Sequence, residues 1–151
     1  MIGSASRLFG ILVVVLAQVG CPTAAVWAAD AVSLYQRLGG RDGIALVVDA
    51  FVGNVVADDR INGRFKEMKP EAVNKLKSGV SDFVCDATGG PCAYLGKDMK
   101  AVHTGMNITE AEWDATVEAL VKALDKRGVG EVEKKELLGL LGPLKPDILG
   151  Q

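Results

Sequence analysis

Apolar residues recurring at three- and four-residue steps constrain this chain more than any other feature, because such spacing aligns side chains on one face of a helix. Ile44, Val47, Val48, Phe51, Val52 and Val55 form one such stripe. Polar Asp49 and Asn54 interrupt it, which argues against a strand of a parallel sheet, buried on both faces. Valine is a poor helix former on its own, so burial must hold this helix. A second stripe, Val73, Leu76, Val80, Phe83, Val84 and Ala87, follows Pro70, a residue favoured in the first turn. A third, Trp113, Val117, Leu120, Val121 and Leu124, follows Thr109-Glu110-Ala111-Glu112, which reads as a capping box. A fourth covers Val132 to Leu141 and is expected to stop near Gly142-Pro143. A short helix around Leu34 to Leu38 precedes Gly39-Gly40, and Gly89-Gly90-Pro91 ends the second long helix and opens a loop through Gly96. The expected architecture is one all-α domain of about five helices.

Ahead of these stripes, Leu8 to Val19 are nearly all apolar, after a start whose only charge is Arg7. The run is too short for a bilayer, which needs ~20 residues. A positive start, a short apolar core and then small residues is the layout of a secretory signal peptide. Val26-Trp27-Ala28 places the cut after Ala28, giving a signal peptide over 1–28 and a domain over 29–151. The expected location is outside the cytoplasm, in the periplasm, with no stable membrane insertion after cleavage. A lipidated Cys21 and an uncleaved anchor are the alternatives, although Gln18 stands where a lipobox wants leucine.

The 17 Lys and Arg against 19 Asp and Glu give a net charge of −2, so no basic excess exists to neutralise phosphates and an electrostatic nucleic-acid binder is excluded. Cys21 leaves with the signal, and Cys85 and Cys92 remain. In an oxidising compartment these two can pair, since the chain can turn back across Gly89-Gly90-Pro91; two free small apolar thiols are the other reading. No Cys-x-x-Cys-His run occurs, which excludes c-type haem attachment, and no Cys-x-x-Cys, which removes the usual zinc and thioredoxin readings. The chain has a single histidine, His103, and the sequence around it assembles no Ser-His-Asp or Cys-His centre. It closes the amphipathic segment Met99-Lys100-Ala101-Val102-His103, and apolar Met99, Val102 and Ile108 would set its imidazole beside a hydrophobic cavity. A neutral imidazole on a cavity wall is what haem iron needs as an axial ligand.

Gly39-Gly40, the stretch Phe51 to Asp59, Phe65, Ala87-Thr88-Gly89-Gly90-Pro91, Tyr94-Leu95-Gly96 and the run Met99 to Thr109 together resemble a group I truncated haemoglobin. The resemblance covers Ser33 to about Ile148, and its most specific element is Tyr-x-Gly-x-x-Met-x-x-x-His-x-Gly-x-x-Ile-Thr. It implies a two-over-two helical sandwich around a non-covalent b-type haem. His103 is then the proximal iron ligand, and Phe65 packs on the haem near the interhelical corner. Tyr94, Met99, Val102 and Ile108 line the proximal face, and Leu76, Val80, Phe83 and Val84 are the haem-facing positions of the distal helix. Each of these apolar residues taken singly is equally what helix–helix packing requires.

The distal side departs from the family pattern. Val52 stands where the family commonly has tyrosine, Val80 where it often has glutamine, and Gly79 where a polar or basic residue is frequent. A distal pocket of Val52, Leu76 and Val80 offers no hydrogen-bond donor to a gas. The stretch between Phe65 and Leu76 is about three residues longer than the family's, and a slip of one turn there would bring Lys75, Lys77, Ser78 or Ser81 toward the iron. The expected function is reversible binding of a diatomic gas (oxygen, nitric oxide or carbon monoxide), with a reductase or other electron donor as partner and nitric-oxide or oxygen chemistry left open. The alternatives are a six-coordinate haem redox protein, its iron closed by a lysine, and a haem-free helical binding domain.

Overall fold

The computed structural model describes residues 32–151, so the signal peptide read over 1–28 and Cys21 lie outside the described residues. Among the described residues the chain is helical, with no strand beyond one isolated β-bridge. Helix α1 (Leu34–Arg37) is started by Ser33, whose hydroxyl accepts the Gln36 amide while the Gln36 side chain accepts the Ser33 amide. Gly39 and Gly40 then turn the chain at φ 87° and 67°, a left-handed backbone that side chains resist, and α2 (Gly40–Ala57) begins. Ile44, Val47, Val48, Val52 and Val55 are buried along it, so packing does supply what valine's propensity does not.

A 3₁₀ turn, Asn62–Arg64, leads to α3 (Pro70–Ala87), where Pro70 occupies a first-turn position whose missing amide proton would have had no helical partner. A five-residue helix, α4 (Met99–His103), follows an irregular loop. Helix α5 (Glu110–Lys126) opens on the Thr109–Glu112 capping box. Ala115, Ala119 and Ala123 repeat every fourth residue along α5 and are fully or almost fully buried, which lets α2 lie close against it. Helix α2 also packs on α3, and α1 bridges α2 to α6 (Glu131–Leu141).

Helix α6 ends at Leu141, at the stop expected near Gly142-Pro143, but the chain does not leave the helical path there. Gly142 keeps helical angles (φ −53°, ψ −44°), and the chain continues through a 3₁₀ turn, Gly142–Leu144, into α7 (Lys145–Ile148). Pro143 ends the long helix's hydrogen-bond ladder but starts the next turn, where the absent N–H is harmless. The described residues therefore hold seven α-helices rather than about five.

Cys85 and Cys92 are joined by a disulfide with Cα atoms 5.8 Å apart. It ties the last turn of α3 to the loop that precedes α4. Only glycine fits at position 90, because a Cβ there would fall 2.6 Å from the Cys85 Sγ and from the Tyr35 ring. Replacing both cysteines by alanine is expected to lower stability by about 2.5 kcal/mol on the chain-entropy account of so short a loop. Urea denaturation of the parent and the variant measures it, and two thiols titrating in the native, unreduced parent would rule out the bridge.

Candidate functional site

An apolar cavity of about 350 Å³ lies between the helices. That volume is in the range of small-molecule and cofactor pockets, roughly 300–1,000 Å³. One wall comes from α2 and α3, through Val47, Val48 and Phe51 on the former and Val80, Phe83 and Val84 on the latter. The opposite wall comes from α5, through Trp113, Thr116, Val117 and Leu120, and from α6 and its extension, through Leu138, Leu141, Leu144 and Ile148. Thr116 brings the only hydroxyl, and that hydroxyl already donates to the Glu112 carbonyl at 2.8 Å. The wall is otherwise hydrocarbon and aromatic, and it admits a flat apolar guest without leaving buried charge.

His103 ends α4 and is half-buried. Its Nδ1 lies 2.7 Å from the Met99 carbonyl oxygen, one turn back. A carbonyl can only accept, so Nδ1 carries the proton and the lone pair of the neutral ring sits on Nε2. This is the usual way a protein fixes a histidine that ligates a metal through its other nitrogen. His103 is not itself on the wall of the cavity. It is joined to it through α7, which packs against α4 and whose Ile148 faces the cavity. The apolar walls suit the flat macrocycle of a haem, and the free Nε2 of His103, off those walls, has the chemistry of an iron ligand.

The other residues singled out from the sequence fall in three places. Val80, Phe83 and Val84 stand on the cavity wall, one turn apart on α3. In the same helix Lys77 is held by Asp49 of α2 at 2.5 Å, and Lys75 and Ser78 are exposed, so no lysine or serine of this turn is on the wall. Leu76 is half-buried and off the wall, and Val52 is buried in the neighbouring core, so α2 presents Phe51 and Val48 instead. On the far side Tyr94 packs edge-on against Phe83, ring centres 5.2 Å apart, while its hydroxyl donates to the Lys97 carbonyl at 2.9 Å. Its amide donates to Asp86, which with the disulfide fastens the loop to α3. Phe65 packs on Val55, Ile61, Ala115 and Ala119, at the corner between α2 and α5. Met99 and Ile108 are half-buried beside His103, whereas Val102 is 37% exposed.

Sequence reasoning named the α5 stripe and the Val132 to Leu141 stripe, which holds Leu138 and Leu141, but not their part in the cavity, and it placed Leu144 and Ile148 on no helix. Trp113, Val117 and Leu120 were periodic enough to be found. Leu144 and Ile148 were hidden by a Gly-Pro pair that reads as an end.

Residues 33–149 match the family described as bacterial-like globin. The chain is 36% identical over 120 residues to the group 1 truncated hemoglobin of Mycolicibacterium paratuberculosis, covering 80% of this chain and 86% of that protein. It is 31% identical over 119 residues to the group 1 truncated hemoglobin of Tetrahymena pyriformis, covering 79% and 96%. The crystal structure of the Tetrahymena pyriformis truncated hemoglobin in its Fe(III) form has a TM-score of 0.73 at 30% identity, covering 79% of this chain and 99% of that one. A Synechococcus 2/2 hemoglobin in the cyanomet state, with covalently attached heme, has a TM-score of 0.70 at 32% identity, covering 78% and 98%.

Helix α4 has no fully buried side chain and depends on its start, where the Asp98 carboxylate accepts the Ala101 amide at 2.7 Å. Asp98→Ala is expected to cost about 1 kcal/mol, the usual price of a lost N-cap. Faster hydrogen exchange at the Ala101 and Val102 amides, with the α5 amides unchanged, is the measurement.

Proposed function

We propose, for a chain that belongs to the bacterial-like globin family, that His103 is the protein ligand of its haem iron and that the haem is of the b type, held without a covalent bond. The protein is an all-α truncated globin that binds haem and a diatomic gas. The haem, when bound, supplies an iron with one position for the protein and one for the gas. The observation that carries the assignment of His103 is its hydrogen bond to the Met99 carbonyl, which leaves Nε2 free and the ring oriented. Non-covalent attachment is supported by the cysteines: Cys85 and Cys92 are occupied with each other, so neither has a thiol to add to a vinyl group.

The chain's own residues then divide the work. Val80, Phe83, Val84, Trp113 and Val117 exclude water from the cavity, and His103 holds the iron from its side. With no lysine on the wall, a six-coordinate redox protein finds no sixth ligand there. A reductase or smaller electron donor that keeps the iron ferrous remains part of the proposal, since oxygen binds to that state. So does export to the periplasm. The short apolar leader supports it, and so does a disulfide, which persists where the surroundings are oxidising. An N-terminus at Ala29 in protein recovered from the periplasmic fraction is the expected result; retention of residues 1–28 would overturn it.

His103→Ala is expected to lose haem during purification and to melt lower than the parent holoprotein, because a bound cofactor stabilises the native state by mass action. A Soret band and haem affinity equal to the parent's would remove the assignment.

The walls offer no free donor at Val80 or Phe83, so oxygen is expected to leave quickly and carbon monoxide to be favoured over it. Val80→Gln puts an amide on the wall. One neutral hydrogen bond is worth about 0.5–1.5 kcal/mol, so oxygen release should slow by roughly two- to tenfold. Stopped-flow displacement of oxygen measures it; slow release in the unmodified protein would show a donor elsewhere.

A further inference from the structure

We infer that the C-terminal segment Leu149–Gln151 is a strap that positions His103 through the loop following it. The inference rests on the reading of His103 as the iron ligand. The backbone after His103 turns sharply. The Met106 amide donates to the His103 carbonyl at 3.0 Å, Gly105 has φ 82° and Asn107 has φ 48°. Asn107 is the one residue other than glycine with a positive φ among those described, a left-handed turn that asparagine tolerates better than most side chains. The strap holds this turn. The Asn107 amide donates to the Gln151 oxygen at 2.5 Å, Ile108 pairs with Leu149 in a parallel bridge, and the Gly150 amide donates to the Ile108 carbonyl at 3.0 Å.

The strap is itself anchored. Its Gln151 side chain donates to the Pro146 and Leu149 carbonyls, folding it onto α7. Lys145, at the start of α7, pairs with Glu110 of α5 and stands 5.9 Å over the Trp113 ring. One short stretch thus touches the loop after His103, the first turn of α5 and the cavity wall at Ile148. Helix α4 needs that support. It has five residues and no buried side chain, its start is fixed by Asp98, and beyond its packing on α7 its far end is fixed through this loop. Undocking the strap lets His103 shift relative to the iron while the long helices stay in place.

The test uses Gly150→Pro, which removes the donated amide and cannot adopt the native φ of 67°. Gly150→Ala, which keeps the amide but is strained at that φ, is the milder member of the series. The readouts are the ferrous iron–imidazole stretching band in resonance Raman spectra, the rate of haem transfer to apomyoglobin, and hydrogen exchange at the Asn107 amide in the haem-free protein. The expected result is a shifted or broadened band in Gly150→Pro, haem loss faster by about tenfold or more, loss of Asn107 protection, and intermediate values for Gly150→Ala. A band and a loss rate equal to the parent's in both variants would show that the strap packs without positioning. A parent with no iron–imidazole band would instead overturn the ligand assignment, and this inference with it.

Discussion

Helix α5 carries two faces with different tasks, and the close packing of one makes the other possible. Ala115, Ala119 and Ala123 stand on the face toward α2, and their short side chains let the two backbones approach. Trp113, Thr116, Val117 and Leu120 stand on the face toward the cavity. The main core and the cavity share side chains: Ile44 of α2, Leu124 of α5 and Leu137 of α6 are among the largest fully buried side chains, pack in one cluster and also line the cavity. Each aliphatic side chain taken from water is worth about 1.5–3 kcal/mol before entropy is counted.

The edges of the cavity are fixed by different means, because they lack long helices. The loop after α3 has no regular hydrogen bonds of its own. A disulfide, an edge-on Phe83–Tyr94 contact and an Asp86 carboxylate accepting the Tyr94 amide hold it instead. Beneath it, Arg41 of α2 reaches Asp82 of α3 at 2.7 Å and the Cys92 sulfur at 3.0 Å, so the same corner is tied from three elements. At the other end of α2, Arg60 binds both Asp58 and Glu118, joining that helix to α5. These groups are exposed, and their value is in geometry rather than in free energy.

What could be read from the sequence was what local rules dictate. Pro70 and the Thr109–Glu112 box start helices wherever they occur before an apolar stripe, and Gly39-Gly40 turns the chain because few other residues can. His103 was legible because it is the sole histidine and sits in a dense motif. The tautomer of His103 was not, since it depends on a carbonyl that α4 folds into place. Nor was the extension of the wall through Leu144 and Ile148, because Gly142-Pro143 carries the local signature of an ending and the helical turns beyond it pack against α4. The motif does not encode which of two neighbours lines the cavity: Phe51 does, and Val52 is buried in the adjoining cluster.

These placements shift control of the proposed site from one side to the other. In the proposed site the wall facing a gas would be Val80, Phe83, Val84 and Phe51, none of which carries a hydrogen-bond donor. The one hydroxyl on the lining, on Thr116, already donates its hydrogen bond to the Glu112 carbonyl. Distal chemistry therefore contributes steric exclusion and dryness, and little discrimination by hydrogen bonding. What would remain adjustable is the bond proposed from His103, whose ring is oriented by the Met99 carbonyl and followed by a loop that backbone hydrogen bonds tie to Leu149–Gln151. An apolar distal wall with a braced proximal helix is the arrangement of a site tuned through its histidine.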